Sequence, residues 1–442
     1  MKKVFTILII TFLSALIFSG LLFTEFFQGL DSKLYDLMLR IRPGVEQDER
    51  LLIVDIDDLT ITNINMYPLS RDIFADGIVL MKEFDPYWGV LDIEFVDRSP
   101  SGINLSVMNR RIPDEFSRTF SDIRVNQESF FQSLVEGRFP IEEAGPVIQQ
   151  LSDFTLSEEQ RLYSEVQQIA RDNDEYLGLA LKYFGNITST VNMMDEKDPT
   201  ITDDHRKYTE DTFALGDKLE IDEDGVDPFS MAVEIKPSIM KIISRSTTAG
   251  FPRVKIDPDG VRRRVDLIYQ NDGNYYGQLG FMTYWNMMGR PTMSTEGNSL
   301  LLRGKEINIP LTQDGRMLIH WPKANYIDSF RHVSFYDLYR HDNLFNDLFF
   351  NLEQIEQEGL LGYPYYSGEI NKMEYYRELE SLKEQFVMAG DGSASKDYRA
   401  ARDFLLDEVS SFLNGEGEAM ILEDVETLSQ YDDLTDEELF KI

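Results

Sequence analysis

The longest run of hydrophobic residues lies near the start of the chain, from Val4 to Phe23, and it contains no charged side chain. A helix of this length, at about 1.5 Å per residue, covers roughly 30 Å, the thickness of a bilayer's hydrocarbon core. Two lysines precede the run and an acidic chain follows it, which predicts a cytoplasmic N-terminus by the positive-inside bias. The pattern therefore predicts a cytoplasmic segment at residues 1–3, one transmembrane anchor at 4–23 and an extracytoplasmic body from residue 24 onward. A cleaved signal peptide is the alternative.

A helix and a buried sheet are predicted next. Leucine and isoleucine recur at helical spacing over residues 29–41, until a Pro-Gly pair ends the pattern. The runs LLIVDID (residues 51–57) and GVLDIEF (residues 89–95) are hydrophobic and end in acids, which is typical of strands buried on both faces of a parallel sheet. A helix beginning after Ser70 separates the two runs. We expect a β-α-β unit in which the two strands are adjacent and parallel.

The remaining pattern predicts further elements and two interruptions. Residues 173–185 have the apolar face of a helix, residues 186–194 have the β-branched content of a strand, and Asp257–Gly260 is a turn signal within a predicted hairpin. The polar, acidic segments at about residues 98–164 and 195–227 are predicted to be insertions.

The predicted fold class is therefore α/β: a mixed, largely parallel sheet with flanking helices and acidic helical insertions, preceded by one transmembrane helix. The extracytoplasmic domain is expected to span residues 24–340. Residues 341–442 are expected to form an acidic helical extension or insertion, because helical spacing and acidic residues dominate there.

Charge and composition exclude several classes of function. The 78 acidic residues outnumber the 43 basic ones and give a formal net charge of −35, which would repel a nucleic-acid backbone. The absence of cysteine excludes disulfide frameworks, thiolate zinc sites and cysteine nucleophiles. Four histidines, widely spaced along the chain, offer no metal-binding cluster by proximity in sequence. A nucleic-acid-binding protein and a zinc enzyme are both disfavoured.

The acids that end the two predicted strands are the main candidates for chemistry. In open α/β sheets, ligands bind in the crevice outside the carboxyl ends of the strands, and carboxylate oxygens suit Mg²⁺ or Ca²⁺. The alternative is that these acids only cap loops and pair with Arg71, which we expect within ion-pair reach of Asp57, Asp58 or Asp92. The candidate ligand-binding residues are Asp57, Asp58, Arg71, Asp92, Glu94 and Arg264. No catalytic residues are predicted, no cofactor is expected beyond a Mg²⁺ or Ca²⁺ ion, and the metal stays unknown.

Seven segments of the chain resemble a family of extracytoplasmic sensor domains called CHASE type 2. They occur in the family's order: LDSKLYDLMLRIRP, LLIVDIDDLT, YPLSR, WGVLDIEFVD, NDEYLGLALKYFGN, IDPDGVRRR and IPLTQDGRMLIHWP. The residues that match the family's motifs are Asp31, Tyr35, Asp36, Arg40, Asp57, Asp58, Pro68, Arg71, Asp92, Phe95, Asp259, Gly260, Arg264, Pro310 and Gly315. The two acidic insertions depart from the family's pattern.

The resemblance implies a sensory domain of a receptor at the inner membrane that regulates a cytoplasmic output enzyme, with a class III adenylate cyclase favoured. It implies no catalysis by this chain. The expected partners are the membrane, the output domain, an unidentified small-molecule or protein signal and, as an option, a second copy in a homodimer; nucleic acid is not expected. Two alternatives stay open: an extracytoplasmic hydrolase that uses the strand-end carboxylates, and a non-signalling envelope scaffold or binding protein.

Overall fold

The computed structural model describes residues 2–21, 25–103, 108, 112–167, 169–222, 227–357 and 371–415. The helices are α1 (Lys2–Leu21), α2 (Glu25–Ile41), α3 (Asp58–Ile64), α4 (Arg71–Glu83), α5 (Ile112–Val135), α6 (Ala144–Gln167), α7 (Asn173–Phe184), α8 (Asp203–Phe213), α9 (Met240–Ile243), α10 (Leu279–Met287), α11 (Tyr326–Ser329), α12 (Phe335–Gln357), α13 (Lys372–Ala389) and α14 (Ser395–Leu413).

The strands are short. They are β1 (Leu52–Asp55), β2 (Gly89–Val90), β3 (Gly102–Ile103), β4 (Ala170–Arg171), β5 (Ile187–Met194), β6 (Leu219–Glu220), β7 (Ser230–Met231), β8 (Glu234–Pro237), β9 (Thr248–Gly250), β10 (Arg264–Asp266), β11 (Ile268–Asn271), β12 (Asn274–Gly277), β13 (Met293–Glu296), β14 (Ser299–Leu302), β15 (Ile307–Pro310), β16 (Arg316–Leu318) and β17 (Arg331–Ser334).

These strands form several small sheets instead of the largely parallel sheet that the sequence predicted. The longest strand, β5, pairs in parallel with β2 and β9 and antiparallel with β8. A second sheet has the order β15-β14-β13-β6, and a third has the order β12-β11-β7. Parallel and antiparallel pairs both occur, so the mixed α/β content is confirmed and the single dominant sheet is wrong.

The predicted pairing of the two acid-terminated strands is also wrong. β1 pairs in parallel with β17, in the register Leu52↔Arg331 to Asp55↔Ser334, whereas β2 pairs with β5 in another sheet. The physical reason is that β5 is long and buried, and β2 pairs with it. The Leu91 amide, just after β2, extends this pairing by donating to the Thr188 carbonyl of β5. The partner of β1 is supplied by a segment far along the chain.

The transmembrane anchor predicted at residues 4–23 is wrong as well. Among the residues that the structure describes, no helix is both long enough and apolar enough to cross a membrane.

Other local predictions are confirmed. The predicted helix at 173–185 is α7, the predicted strand at 186–194 contains β5, and Ser70 stands directly before α4. The turn at Asp257–Gly260 forms, with the Gly260 amide donating to the Asp257 carbonyl over 2.9 Å. The strand that follows it, β10, pairs antiparallel with β16 and not within the predicted hairpin.

The main core lies where α4 and α7 pack against each other and against β5. Leu177, Ala180 and Leu181 of α7 are fully buried there, together with Ala75 and Ile78 of α4. On the other side of β5, α10 packs against β5 and β9. Burial of such side chains removes apolar area from water at about 25 cal/mol per Å² and provides the main driving force for folding.

The helices α12, α13 and α14 add a separate hydrophobic core around Phe349, Tyr376 and Leu405. They pack against α4 and α7, so they extend the main body. The predicted domain boundary at residue 340 stays a prediction, and the predicted acidic extension lies partly outside the described residues.

Candidate functional site

The carboxyl ends of β1 and β17 hold a group of polar side chains, which we call the strand-end cluster: Asp55, Asp57, Tyr326, His332 and Ser334. His332 Nδ1 lies 2.6 Å from Asp55 Oδ2, and the Tyr326 hydroxyl donates to Asp55 Oδ1 over 3.2 Å. The rings of Tyr326 and His332 meet edge to face at 4.7 Å. Both oxygens of Asp55 are therefore engaged by groups that follow β16.

Asp57, which follows β1, hydrogen-bonds both α3 and β17. It is the N-cap of α3, and its carboxylate accepts hydrogen bonds from the Thr60 amide at 2.9 Å, the Thr60 hydroxyl at 2.7 Å and the Ser334 hydroxyl at 2.8 Å. Burial would raise the pKa of Asp57, but the hydrogen bonds from Thr60 and Ser334 outweigh it and lower the pKa. Asp57 is thus held ionised, and all three hydrogen bonds are accepted by its Oδ1 atom.

The other acids of this edge are more exposed. Asp58 lies in the first turn of α3, and Asp92 and Glu94 follow β2. Burial and the nearby carboxylates of Asp55 and Asp92 raise the pKa of Tyr326, so Asp92 lies within electrostatic range of the cluster. Glu94 lies beside β5 and accepts a hydrogen bond of 3.2 Å from Asn192. The structure therefore brings Asp92 near the cluster, while Glu94 contacts a different strand.

Within the described part of the chain, no group of three or more His, Asp or Glu side chains is arranged to hold a metal ion. The Mg²⁺ or Ca²⁺ site at the strand-end acids stays a prediction. The cluster instead presents carboxylate oxygens that hydrogen-bond a histidine and a tyrosine.

Arg71 does not have the partner that we expected. Its guanidinium pairs with Asp174 of α7 and donates to the Asp97 carbonyl, and its carbon Cζ lies 5.4 Å from the centre of the Phe95 ring. No ion pair among the described residues joins Arg71 to Asp57, Asp58 or Asp92. The reason is that Arg71 opens α4, which packs along α7, so the nearest carboxylate is the buried Asp174.

A half-buried polar group lies one turn further along α4. The Tyr176 hydroxyl donates to Asp76 Oδ1 over 2.6 Å, and Arg171 lies over the Tyr176 ring at 4.4 Å. Arg171 is paired with Asp72 at 2.7 Å. Burial raises the pKa of Asp76 to about 6, although the hydrogen bond from Tyr176 and the charge of Arg171 oppose this. Asp76 therefore titrates close to neutral pH.

Arg264, the last predicted site residue, lies in β10 far along the chain from the other five, and it donates to Asp257 over 2.8 Å. The neighbouring residue is the more informative one. Arg263 is only 1% exposed and is surrounded by carboxylates. It donates to Asp36 of α2 at 2.7 Å twice, to Asp259 at 2.8 and 2.7 Å, and to Asp257 at 3.2 Å.

The local sequence explains this arrangement, which we call the Arg263 cluster: Asp36, Asp257, Asp259 and Arg263. Gly260 has a φ of +82°, so the turn reverses tightly and places Asp257 and Asp259 on the same side as Arg263. The hydrogen bond from Arg263 lowers the pKa of Asp36. A second hydrogen bond from Arg263 lowers the pKa of Asp259 to about 2. Asp36, Asp259 and Arg263 are therefore all charged at neutral pH.

A second contact holds the same face of α2. The Tyr35 hydroxyl donates to the Ile319 carbonyl over 2.8 Å, and the Ile319 amide donates to the Arg263 carbonyl over 2.8 Å. Two adjacent residues of α2 are thus bound to one small region of the body. Sequence reasoning identified Asp36 and Asp259 as motif residues but selected Arg264. Both arginines pair with Asp257, and Arg263 is distinguished by its contact with Asp36, which no local pattern indicates.

The described residues form an α/β body that binds the helix preceding it through Arg263 and Ile319. A family model described as the CHASE2 domain matches residues 9–390. The chain belongs to the CHASE2 domain family, whose members are extracytoplasmic sensory domains of signalling receptors. No curated protein and no solved structure matches the chain.

Proposed function

We propose that this chain is the sensory part of a signal-transduction receptor of the inner membrane, that it regulates a cytoplasmic class III adenylate cyclase, and that it catalyses no reaction itself. Membership of the CHASE2 family supports the sensory role, and the choice of a cyclase rests on the family resemblance. The single observation that carries the proposed route of the signal is the attachment of α2 to the body through Arg263 and Asp36.

The Arg263 cluster is suited to transmit a change in the body to α2. Charge-assisted hydrogen bonds in a bidentate pair are the strongest and most directional in proteins, so α2 follows Arg263 when that residue moves. Arg263 directly precedes β10, whose partner β16 leads towards Ile319, the residue that accepts from Tyr35. A rearrangement of the β10–β16 pair would therefore shift both contacts of α2 at once.

We place recognition of the signal at the strand-end cluster. Asp57, Asp58 and Asp92 give this edge a negative charge, which favours a cationic ligand or one rich in hydrogen-bond donors. Glu94 would extend the acidic surface along β5. Arg71 and Arg264 are already paired with Asp174 and Asp257, so we assign them structural roles in positioning α4 and β10.

The output is tested with the full-length gene product, produced in a bacterial strain that lacks its own adenylate cyclase. We expect cellular cyclic AMP to rise clearly above the empty-vector level. An unchanged cyclic AMP level, with the protein present at normal abundance, would contradict the cyclase output.

The route is tested with Asp36→Asn, which weakens the contact to Arg263 while leaving Asp257 and Asp259 in place. We expect cyclic AMP output to change by at least about fivefold, which is the lower range of allosteric coupling. Asp48→Asn is the matched control because Asp48 pairs with Arg50 at the exposed surface, and output should stay within about twofold. Equal outputs from Asp36→Asn and the control would refute transmission through α2.

A further inference from the structure

A surface cavity lies where the end of α4 meets the first turns of α14. Its volume is about 270 Å³, and its wall is formed by Lys82, Glu83 and Asp85 on one side and by residues of α14 on the other. None of these residues belongs to the strand-end cluster or to the Arg263 cluster. The cavity is therefore a separate candidate for binding.

The first turn of α14 has free hydrogen-bond donors. Ala394, which directly precedes the helix, has no side chain that could cap it. The Ser395 amide donates to the Gly392 carbonyl over 3.3 Å, whereas the amides of Lys396 and Asp397 make no hydrogen bond within the described part of the chain. Free amides and the helix dipole together favour an anion at such a helix N-terminus.

A buried hydroxyl points to a ligand independently of the helix. Ser395 lines the cavity and is only 6% exposed. Among the residues that the structure describes, none forms a hydrogen bond with its hydroxyl. Because buried polar groups are nearly always hydrogen-bonded, an unpaired hydroxyl in the wall of a cavity indicates that a bound group completes it.

Two cations of the wall are available to an anion. Lys82 forms no ion pair with a described residue, and a Cβ atom at Gly392 would lie 3.3 Å from its Cε atom, so its side chain runs along the loop that precedes α14. Arg399 lies 4.0 Å from Asp403, and both of these side chains are more than half exposed. Exposed ion pairs of this kind contribute little, so Arg399 can turn to a ligand at small cost.

Most of the acidic charge in the wall already has partners. Glu83 pairs through one carboxylate oxygen with Arg402 and through the other with Lys383, at 2.9 Å. Asp85 pairs with Lys396 at 3.1 Å. The cations of the wall are therefore not fully cancelled by its acids, although the chain as a whole has a formal net charge of −35.

We propose that this cavity binds the phosphate group of a small solute. The Ser395 hydroxyl and the amides of Lys396 and Asp397 would donate hydrogen bonds to its oxygens. Lys82 and Arg399 would offset its charge. A phosphate group is favoured over a carboxylate because it offers three strong acceptor oxygens to these donors. This inference goes beyond the proposed function, since the proposed route of the signal does not use the cavity.

Isothermal titration calorimetry on the purified chain, in a buffer without phosphate or sulfate, tests the proposal. Inorganic phosphate and glycerol 3-phosphate are titrated separately, which distinguishes free phosphate from a phosphomonoester as the source of the group. We expect saturable binding of at least one of them, with a Kd of about 1 mM or lower. Binding of neither would overturn the proposal, and so would equally tight binding of acetate.

Two variants locate the site. Ser395→Ala and Lys82→Gln should each weaken binding by at least about tenfold, because each removes a donor to a charged group. Lys305→Gln is the matched control, since it removes one exposed lysine that does not line the cavity, and its Kd should stay within about twofold of the wild-type value. Circular dichroism establishes that each variant is folded, and either of the two site variants alone decides the outcome. Equal affinities for the site variants and the control would refute binding in this cavity.

Hydrogen exchange tests the part played by the helix. The ligand that binds should slow exchange at the amides of Lys396 and Asp397, which have no other acceptor in the described part of the chain. The segment around Lys305 should exchange at the same rate with and without ligand. Unchanged exchange at the start of α14 under saturating ligand would overturn the proposal.

Discussion

Arg263 donates two hydrogen bonds of 2.7 Å to the carboxylate of Asp36, which lies 227 residues earlier in the chain. Arg263 itself is buried, and Asp36 is the part of α2 that reaches it. The late part of the chain therefore holds α2 in position.

The Arg263 cluster should dominate the stability of this region. Replacing Arg263 with Gln removes the cation from a buried site and leaves Asp257, which is 5% exposed, with one cationic partner fewer, although Arg264 still pairs with it. Breaking a buried pair by removing one member costs about 3–5 kcal/mol, and we expect a loss of this size in the free energy of unfolding. Urea denaturation followed by circular dichroism measures it.

Arg303→Gln serves as the control, because Arg303 pairs with Glu296 on the surface and both side chains are about half exposed. Its effect should stay within about 0.5 kcal/mol. If the two substitutions have similar effects, the burial of Arg263 does not have the importance that we assign to it.

The neighbouring acids Asp57 and Asp58 should differ sharply in their effect on stability. Asp57→Ala removes the N-cap of α3 together with the acceptor of the Ser334 hydroxyl, and we expect a loss of about 1–2 kcal/mol. Asp58→Ala removes only a favourable charge in the first turn, worth about 0.5 kcal/mol. Thermal unfolding of the two variants, compared side by side, measures this difference; a larger effect of Asp58→Ala would contradict the capping role of Asp57.

Asp76 should make the protein less stable as the pH rises towards neutral. Burial raises the pKa of Asp76 to about 6 in the folded chain. The pKa of an aspartate in the unfolded chain is about 3.9. Protonated Asp76 therefore favours the folded state at low pH, and this contribution is lost as the pH rises from about 4 through 6, by about 3 kcal/mol in total.

The substitution Asp76→Asn tests this, because the amide oxygen can still accept from Tyr176 while the charge is removed. We expect the variant to gain stability relative to the wild type at pH 7.5 and to show a smaller difference at pH 4.5, both measured by urea denaturation. A constant difference between the two proteins across this pH range would show that Asp76 titrates normally.

Gly178 should not tolerate a side chain, although it lies in a helix. A Cβ atom at Gly178 of α7 would collide with the backbone carbonyl of Lys241 and with the Arg245 side chain. Gly178→Ala should therefore cost about 1–3 kcal/mol through overpacking between α7 and α9. Gly29→Ala on α2 meets open space and should be neutral or slightly stabilising. Chemical denaturation of both variants distinguishes this steric cause from a general effect of helical glycine.

Individual helices and strands were predictable where the hydrophobic residues of a segment follow one clear periodicity. The apolar face of α7 and the β-branched run of β5 are strong local signals, and both elements form at the predicted residues. The partner of β1 was not predictable in this way. β17 reads RHVS, a four-residue segment with two basic or titratable side chains, and short strands of that kind carry little periodic signal.

In the candidate site, too, local features were predictable from the sequence and long-range contacts were not. Asp57 and Asp58 could be located at the end of a strand, but the hydrogen bond from Ser334 to Asp57 could not, because no local pattern connects these two residues. Arg71 was expected to pair with the acids of its own β-α-β segment, and it pairs with Asp174 because the packing of α4 on α7 decides which carboxylate is near. Tertiary contacts over long sequence separations set both outcomes.

The pairing of β1 with β17 has a consequence for the order in which the protein acquires its structure during synthesis. Asp55 and His332, whose side chains meet beside this ladder, are 277 residues apart. At about 5–20 residues per second, β1 spends tens of seconds outside the ribosome before its partner strand is made. Throughout that interval its hydrogen-bonding edge is open to pairing with other chains. The early part of this domain therefore depends on chaperone protection or on temporary non-native contacts until residue 334 has emerged.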